Sequence, residues 1–198
     1  MGRKAREERQ EKREDIVAKR TQAKRKTTLM AAGILALIAV IVGYSSYVFV
    51  TMDAGAPGAP PGAGKLGGEH EHASLLVRIF GDKFDFSVPS YQIKSSWIHF
   101  EDSDGSTIHR HSSGVTLGYL FEGMGFTVND ECFAFPDVRE FCTNEDYSLK
   151  YYINHRSVDS IYDYVIKEDD RLLISFGPET PEEIEVQLIE LDSQIIKG

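Results

Sequence analysis

Five of the six histidines fall between residues 70 and 111, in the steps Glu69-His70-Glu71-His72, Ile98-His99-Phe100-Glu101 and Ile108-His109-Arg110-His111. Neutral imidazole ligates copper, zinc, nickel and iron, and affinity among divalent ions peaks at copper. In a β-strand residues i and i+2 share a face, so His70 points with His72, and His109 with His111. One such pair alone is an ordinary solvated sheet face. Two pairs and a further histidine across a turn favour a metal site.

The register that would gather them follows from the hydrophobic pattern. With Ser103-Asp104-Gly105 as a three-residue loop and Gly105 in the left-handed conformation, Asp102 faces Ser106. Phe100 then opposes Ile108 on the core side. On the other face His99 opposes His109, Trp97 opposes His111 and Glu101 opposes Thr107. Opposed Cβ atoms lie ~4.5–5.5 Å apart, within reach of a shared ion. The expected ligands are therefore His99, His109 and His111, with Glu101 as an oxygen donor, and copper or zinc as the ion. In the first strand Ala73, Leu75, Val77 and Ile79 form one face, leaving His70 and His72 on the other with Ser74 and Arg78. They join the site if that strand lies beside the hairpin, an order the sequence leaves open. No thiolate or methionine stands near these motifs, so a blue-copper centre is not indicated. Glu69 and Glu71 read as solubilising charge. A competing use of the same face is a protein interface, with Trp97 as its anchor, in an assembly module of a membrane complex.

The two cysteines, Cys132 and Cys142, flank the turn Pro136-Asp137, which places them directly opposite each other. Outside the cytoplasm such a pair is expected to be a disulfide, contributing about 3 kcal/mol by closing a short loop. The alternative, a thiol–disulfide oxidoreductase, ordinarily uses Cys-x-x-Cys at a helix start. Nine residues separate these cysteines and no helix begins there, so the chain leans away from enzymatic function.

The elements that must carry these residues are mostly strands. Aromatic and β-branched runs flank hairpin signals at Gly81-Asp82 and Asp104-Gly105, and further strands are expected at 132–135, 148–155 and 171–177. Residues 117, 120, 121 and 124 have the spacing of a short helix. Thr180, Pro181 and Glu183 form a capping-box start for a C-terminal helix with Ile184, Leu188, Leu191 and Ile195 on one face. The fold class expected for residues 69–198 is α+β, small and β-rich.

Ahead of that domain lies a different kind of chain. Leu29 to Val50 is 22 residues without a charge, enough as a helix to cross ~33 Å of bilayer. The net charge of -9 divides into +6 over residues 1–27 and -15 beyond. The basic segment 1–28 is expected in the cytoplasm by the positive-inside rule, and the rest outside, in a single-pass protein of the cell membrane. The n-region and apolar stretch are both too long for a cleaved signal peptide. Residues 51–68, rich in Gly, Ala and Pro, read as a linker with nothing to bury. An outer charge of -15 disfavours nucleic acid as a partner.

Two stretches resemble known sequences. Residues 148–177, a strand, a turn, an acidic turn and a last strand ending in Gly, look like the closing part of a β-grasp unit. The span from His70 through Gly125, with Ile98-His99-Phe100-Glu101 and Leu117-Gly118-Tyr119-Leu120-Phe121, is similar to N-terminally anchored extracytoplasmic proteins of ammonia-oxidising archaea. Some of those are labelled protein-disulfide isomerase; this chain departs from that label in lacking Cys-x-x-Cys. The archaeal resemblance implies an extracytoplasmic setting in which copper handling would be sensible.

Overall fold

The computed structural model describes residues 2–51 and 58–198, so part of the expected linker, residues 52–57, lies outside the described residues. It comprises two units. The first is a continuous helix, α1 (Arg3–Thr51), containing a stretch long and apolar enough to cross a membrane, none of it covered by protein. The apolar Leu29, Ile34, Ile38 and Ile41 are all exposed there, which in water would be unfavourable and in lipid is not.

The second unit is mixed α+β. Its elements are β1 (Glu71–Ile79), β2 (Asp82–Lys83), a 3-10 turn (Pro89–Tyr91), β3 (Ile98–His99), β4 (Thr107–Arg110), α2 (Leu117–Gly123), β5 (Thr127–Val128), β6 (Cys132–Ala134), β7 (Glu140–Cys142), β8 (Ser148–Ile153), β9 (Arg156–Val158), β10 (Asp170–Gly177) and α3 (Pro181–Ser193). The main sheet runs β3-β4-β1-β10-β8-β9, with β2 paired to β1, and β5-β6-β7 form a second small sheet. β1 lies parallel to β10, and the remaining ladders are antiparallel.

Strand alternation divides β1 between two cores. Ala73, Leu75 and Val77 enter the main core with Ile108, Phe100, Leu120 and Phe121. Leu76 points to the other face, where it and Leu173 are covered by Ile184, Leu188 and Leu191 of α3. Burying each such side chain contributes ~1.5–3 kcal/mol. The helix starts as its sequence requires: Thr180 Oγ1 accepts from the Glu183 N–H, and the Glu183 carboxylate accepts from the Thr180 N–H at 2.8 Å. It stops at Ser193, so Ile195 lies beyond it and is exposed rather than on its apolar face.

Several local expectations shift. The first hairpin turns on Phe80 and Gly81, both at positive φ, one residue earlier than Gly81-Asp82. In the second, Asp102 and Ser103 adopt the left-handed conformation and Gly105 does not. Gly105 is needed for another reason: a Cβ there would lie 2.4 Å from the Ser87 backbone nitrogen. Residues 58–68 do find something to pack on. Ala63 is buried in the main core, and the Gly64 and Gly67 N–H groups donate to the carbonyls of Ser113 and His111. Small residues allow that approach, since a Cβ on Gly114 would collide with the Gly62 carbonyl. Cys132 pairs with Cys142 in register and the two are joined by a disulfide.

Candidate metal centre

The hairpin register places His99 opposite His109, as its alternation requires. The strand order then answers what the sequence left open. β1 lies against the other edge of β4, with His72 opposite His109. One row across three strands therefore reads His99, His109, His72. One step further along the same face, His70 and His111 stand together with ring centroids 4.5 Å apart. His111 is also 4.9 Å from His99, and His70 is 4.6 Å from His72. All five imidazoles occupy one contiguous patch.

The tightest group is His70, His72 and His109. One ring nitrogen from each lies within 4.8 Å of the others, and this trio can hold a metal ion. The Nε2 atoms of His70 and His72 are 3.2 Å apart. Two nitrogens bound at ~2.0–2.1 Å to a tetrahedral ion stand ~3.3 Å apart, so this spacing suits a shared metal. The expected trio was His99, His109 and His111; the structure brings all three into the patch, while the closest convergence involves the first-strand pair instead. The rings show the difference: the centroids of His72 and His109 are 4.9 Å apart, those of His99 and His109 6.1 Å.

Hydrogen bonds around the rings set their tautomers. The Glu168 carboxylate accepts the His72 backbone N–H at 2.7 Å and faces its Nδ1 at 3.3 Å. A proton on Nδ1 directed at that carboxylate leaves the Nε2 lone pair facing His70, the carboxylate–histidine arrangement that orients metal ligands. Glu168 was not visible as a site residue in the sequence; its only signal was the acidic turn before the last strand. Glu71 fixes it in turn by accepting the Glu168 backbone N–H at 2.6 Å. Glu69 is paired with Arg110. Arg110 is buried on the face away from the histidines and also donates to the carbonyls of Ile166 and Ser112. Both glutamates thus fasten the strand that presents His70 and His72, a more specific role than solubilising charge.

Glu101 sits between two rings, with Oε2 3.1 Å from His99 Nε2 and Oε1 3.5 Å from His109 Nδ1. The second distance is too long for a hydrogen bond, and the buried His109 Nδ1 has no partner. Burial pushes the Glu101 carboxyl up, but the His99 hydrogen bond and the neighbouring His109, His99 and His111 outweigh it and hold it below its ordinary value. Burial pushes the His109 imidazole down against the pull of Glu101, and pushes that of His111 down to about 4. Both rings are consequently neutral at pH 7, the form that binds metal.

The patch is partly roofed. After α3 the chain runs back along β1, where Gln194 meets the Ser74 hydroxyl at 2.6 Å and the Lys197 N–H donates to Thr107 Oγ1 at 3.2 Å. Gly198 lies against the His72 ring, so close that a Cβ there would be 3.1 Å away. His72 and His109 are buried, whereas His70 is exposed, which leaves one side open for an ion to enter. Trp97 does not belong to this face. Its backbone carbonyl accepts from His111 as the register requires, but its side chain packs in the main core rather than beside the histidines.

Compared with protein-family models, curated proteins and solved structures, the chain matches none of them.

Proposed function

We propose that this is a membrane-anchored, non-enzymatic protein whose outer domain binds copper or zinc through His70, His72 and His109, with His111 and His99 completing the surroundings of the ion. The observation that carries the reading is the convergence of three imidazole nitrogens from two adjacent strands within 4.8 Å. The Glu168 carboxylate behind His72 supports it, since such a partner fixes the ring and raises ligand basicity. All-nitrogen donors suit both ions. The anchor is the apolar part of α1, and the basic residues before it favour a cytoplasmic N-terminus with the domain on the outer side.

The test uses the full chain in detergent micelles, dialysed against Zn(II) or Cu(II) and then against metal-free buffer. Retained metal is counted per chain, for the wild type and for His72→Ala and His109→Ala. The reading requires retention by the wild type and loss in both variants. A wild type that retains neither metal overturns it. Protease added outside sealed membrane vesicles tests the orientation by digesting the domain or leaving it intact.

A further inference from the structure

The His70, His72 and His109 trio does not use His99 or Glu101 as ligands, and the geometry of those two is hard to satisfy with protein atoms alone. The Nδ1–H of His99 donates to the Ser95 carbonyl at 2.6 Å, an atom that can only accept. The proton of the neutral ring is therefore on Nδ1, and the Nε2 lone pair is directed at Glu101 Oε2, 3.1 Å away. In the neutral ring an acceptor faces an acceptor, and the approach becomes a bond only when a second proton or an ion stands between them. The other carboxylate oxygen faces His109 Nδ1 at 3.5 Å, and that nitrogen, on a residue only 6% exposed, has no hydrogen-bond partner. Glu101 thus brings its two oxygens to two imidazole nitrogens, His99 Nε2 at 3.1 Å and His109 Nδ1 at 3.5 Å. Arg110, the cation on the same strand, is turned to the opposite face and engaged with Glu69. No protein cation fills the space between these atoms among the described residues.

Building on the metal-binding reading above, we propose that the histidine face holds two ions, the second seated between His99 Nε2 and the Glu101 carboxylate. Bonds of ~2.0–2.2 Å to a nitrogen and an oxygen 3.1 Å apart enclose an angle of about 95°, an ordinary angle between neighbouring ligands. His109 then serves both positions. With Nδ1 turned toward Glu101, Nε2 is the nitrogen left for the first ion, and Nδ1, on releasing a proton to solvent, would bind the second, each nitrogen of the ring acting separately. His111, close to both His70 and His99, flanks the pair. The ion class is the same as for the first position, a divalent transition metal that accepts imidazole and carboxylate together. The second position has the weaker donor set by one imidazole and fills after the first.

The experiment counts ions. The full chain in micelles is titrated with Zn(II) to saturation and bound metal is measured per chain, with thermal unfolding checked for every variant. Two ions are expected in the wild type, and one in His99→Ala and in Glu101→Gln. His72→Ala should lose the first ion instead. A second readout does not depend on the variants folding well: the Cu(II)-loaded wild type should give the electron paramagnetic resonance spectrum of a coupled pair, with a half-field line. A wild type saturating at one ion with an uncoupled Cu(II) spectrum overturns the proposal, the occupant of the space then being a proton on His99, and leaves the first site standing. A wild type that binds no ion overturns both.

Discussion

His72 and Glu168, separated by 96 positions in the chain, meet twice: the carboxylate accepts the His72 backbone N–H at 2.7 Å and faces its ring at 3.3 Å. The contact joins β1 to the loop before β10 and decides which nitrogen of His72 is free. Glu168→Ala should weaken the first ion's binding by about 10–100-fold, the usual cost of removing a carboxylate behind a ligating histidine. Glu168→Gln, whose amide oxygen still accepts, should lose less. Competition against a coloured chelator measures both, and affinities equal to the wild type would show that Glu168 does not position the ring.

Asp104 gives the domain an acid-sensitive element. Burial alone would raise its carboxyl, but hydrogen bonds from the side chain and backbone of Ser106, from Lys197 and from Thr107 bring it down to about 2. A carboxyl whose folded value lies below its unfolded value of ~3.9 contributes stability above about pH 4, and that contribution disappears as pH falls toward 2. Asp104→Asn should therefore cost about 2 kcal/mol at pH 7, and the gap to the wild type should close by about pH 2. Urea unfolding at several pH values tests this. A gap of constant size throughout would mean that ionisation of Asp104 contributes nothing.

Gly105 supports the histidine hairpin from behind. A methyl group there meets the Ser87 nitrogen at 2.4 Å and Phe86 backbone atoms at 2.8 Å, none of which can swing aside. Gly105→Ala should destabilise the domain by about 2–3 kcal/mol, within the range for overpacking. If chemical denaturation finds a loss under 0.5 kcal/mol, the Phe86-Ser87 segment is looser than its packing implies.

The Cys132–Cys142 bridge closes a loop of ten residues on the small sheet, which the chain-entropy argument values at about 3 kcal/mol. The double variant Cys132→Ser/Cys142→Ser should unfold at correspondingly lower denaturant yet bind the same number of ions, because neither sulfur lies in the histidine patch. Loss of metal in that variant would tie the bridge to the site.

What could be read in the sequence was whatever strict local periodicity dictates. The pairing of Phe100 with Ile108 admits one register, and that register carries His99 to His109; the Cys132 and Cys142 alignment and the Thr180 cap follow in the same way. The placement of β1 beside β4 was not legible, because antiparallel pairing over a long connection leaves no pattern in either strand. Glu168 was hidden for a related reason, as its role exists only once β10 has docked along β1. Trp97 misled because alternation fails just outside β3, where the chain is no longer held flat and an indole gains more from the core than from a polar face. Residues 58–68 looked unable to pack because they carry few large apolar side chains, but glycine and alanine pack by letting backbones approach.

The parallel pairing of β1 with β10 also governs when Glu168 can reach His72. Ala73 aligns with Asp170, so the sheet closes only after most of the domain has been made. Contacts this distant in sequence form late and slowly. Until then β1 has only β2 and β4 to pair with, and His72 stands apart from the carboxylate that orients it. An ion taken up by a half-made chain would meet a ring not yet fixed by Glu168 and a weaker site, whereas the completed sheet offers a positioned one. Tight metal uptake would thus act as a readout of finished folding, and metal supplied during refolding should increase the final yield of folded domain without hastening the first step.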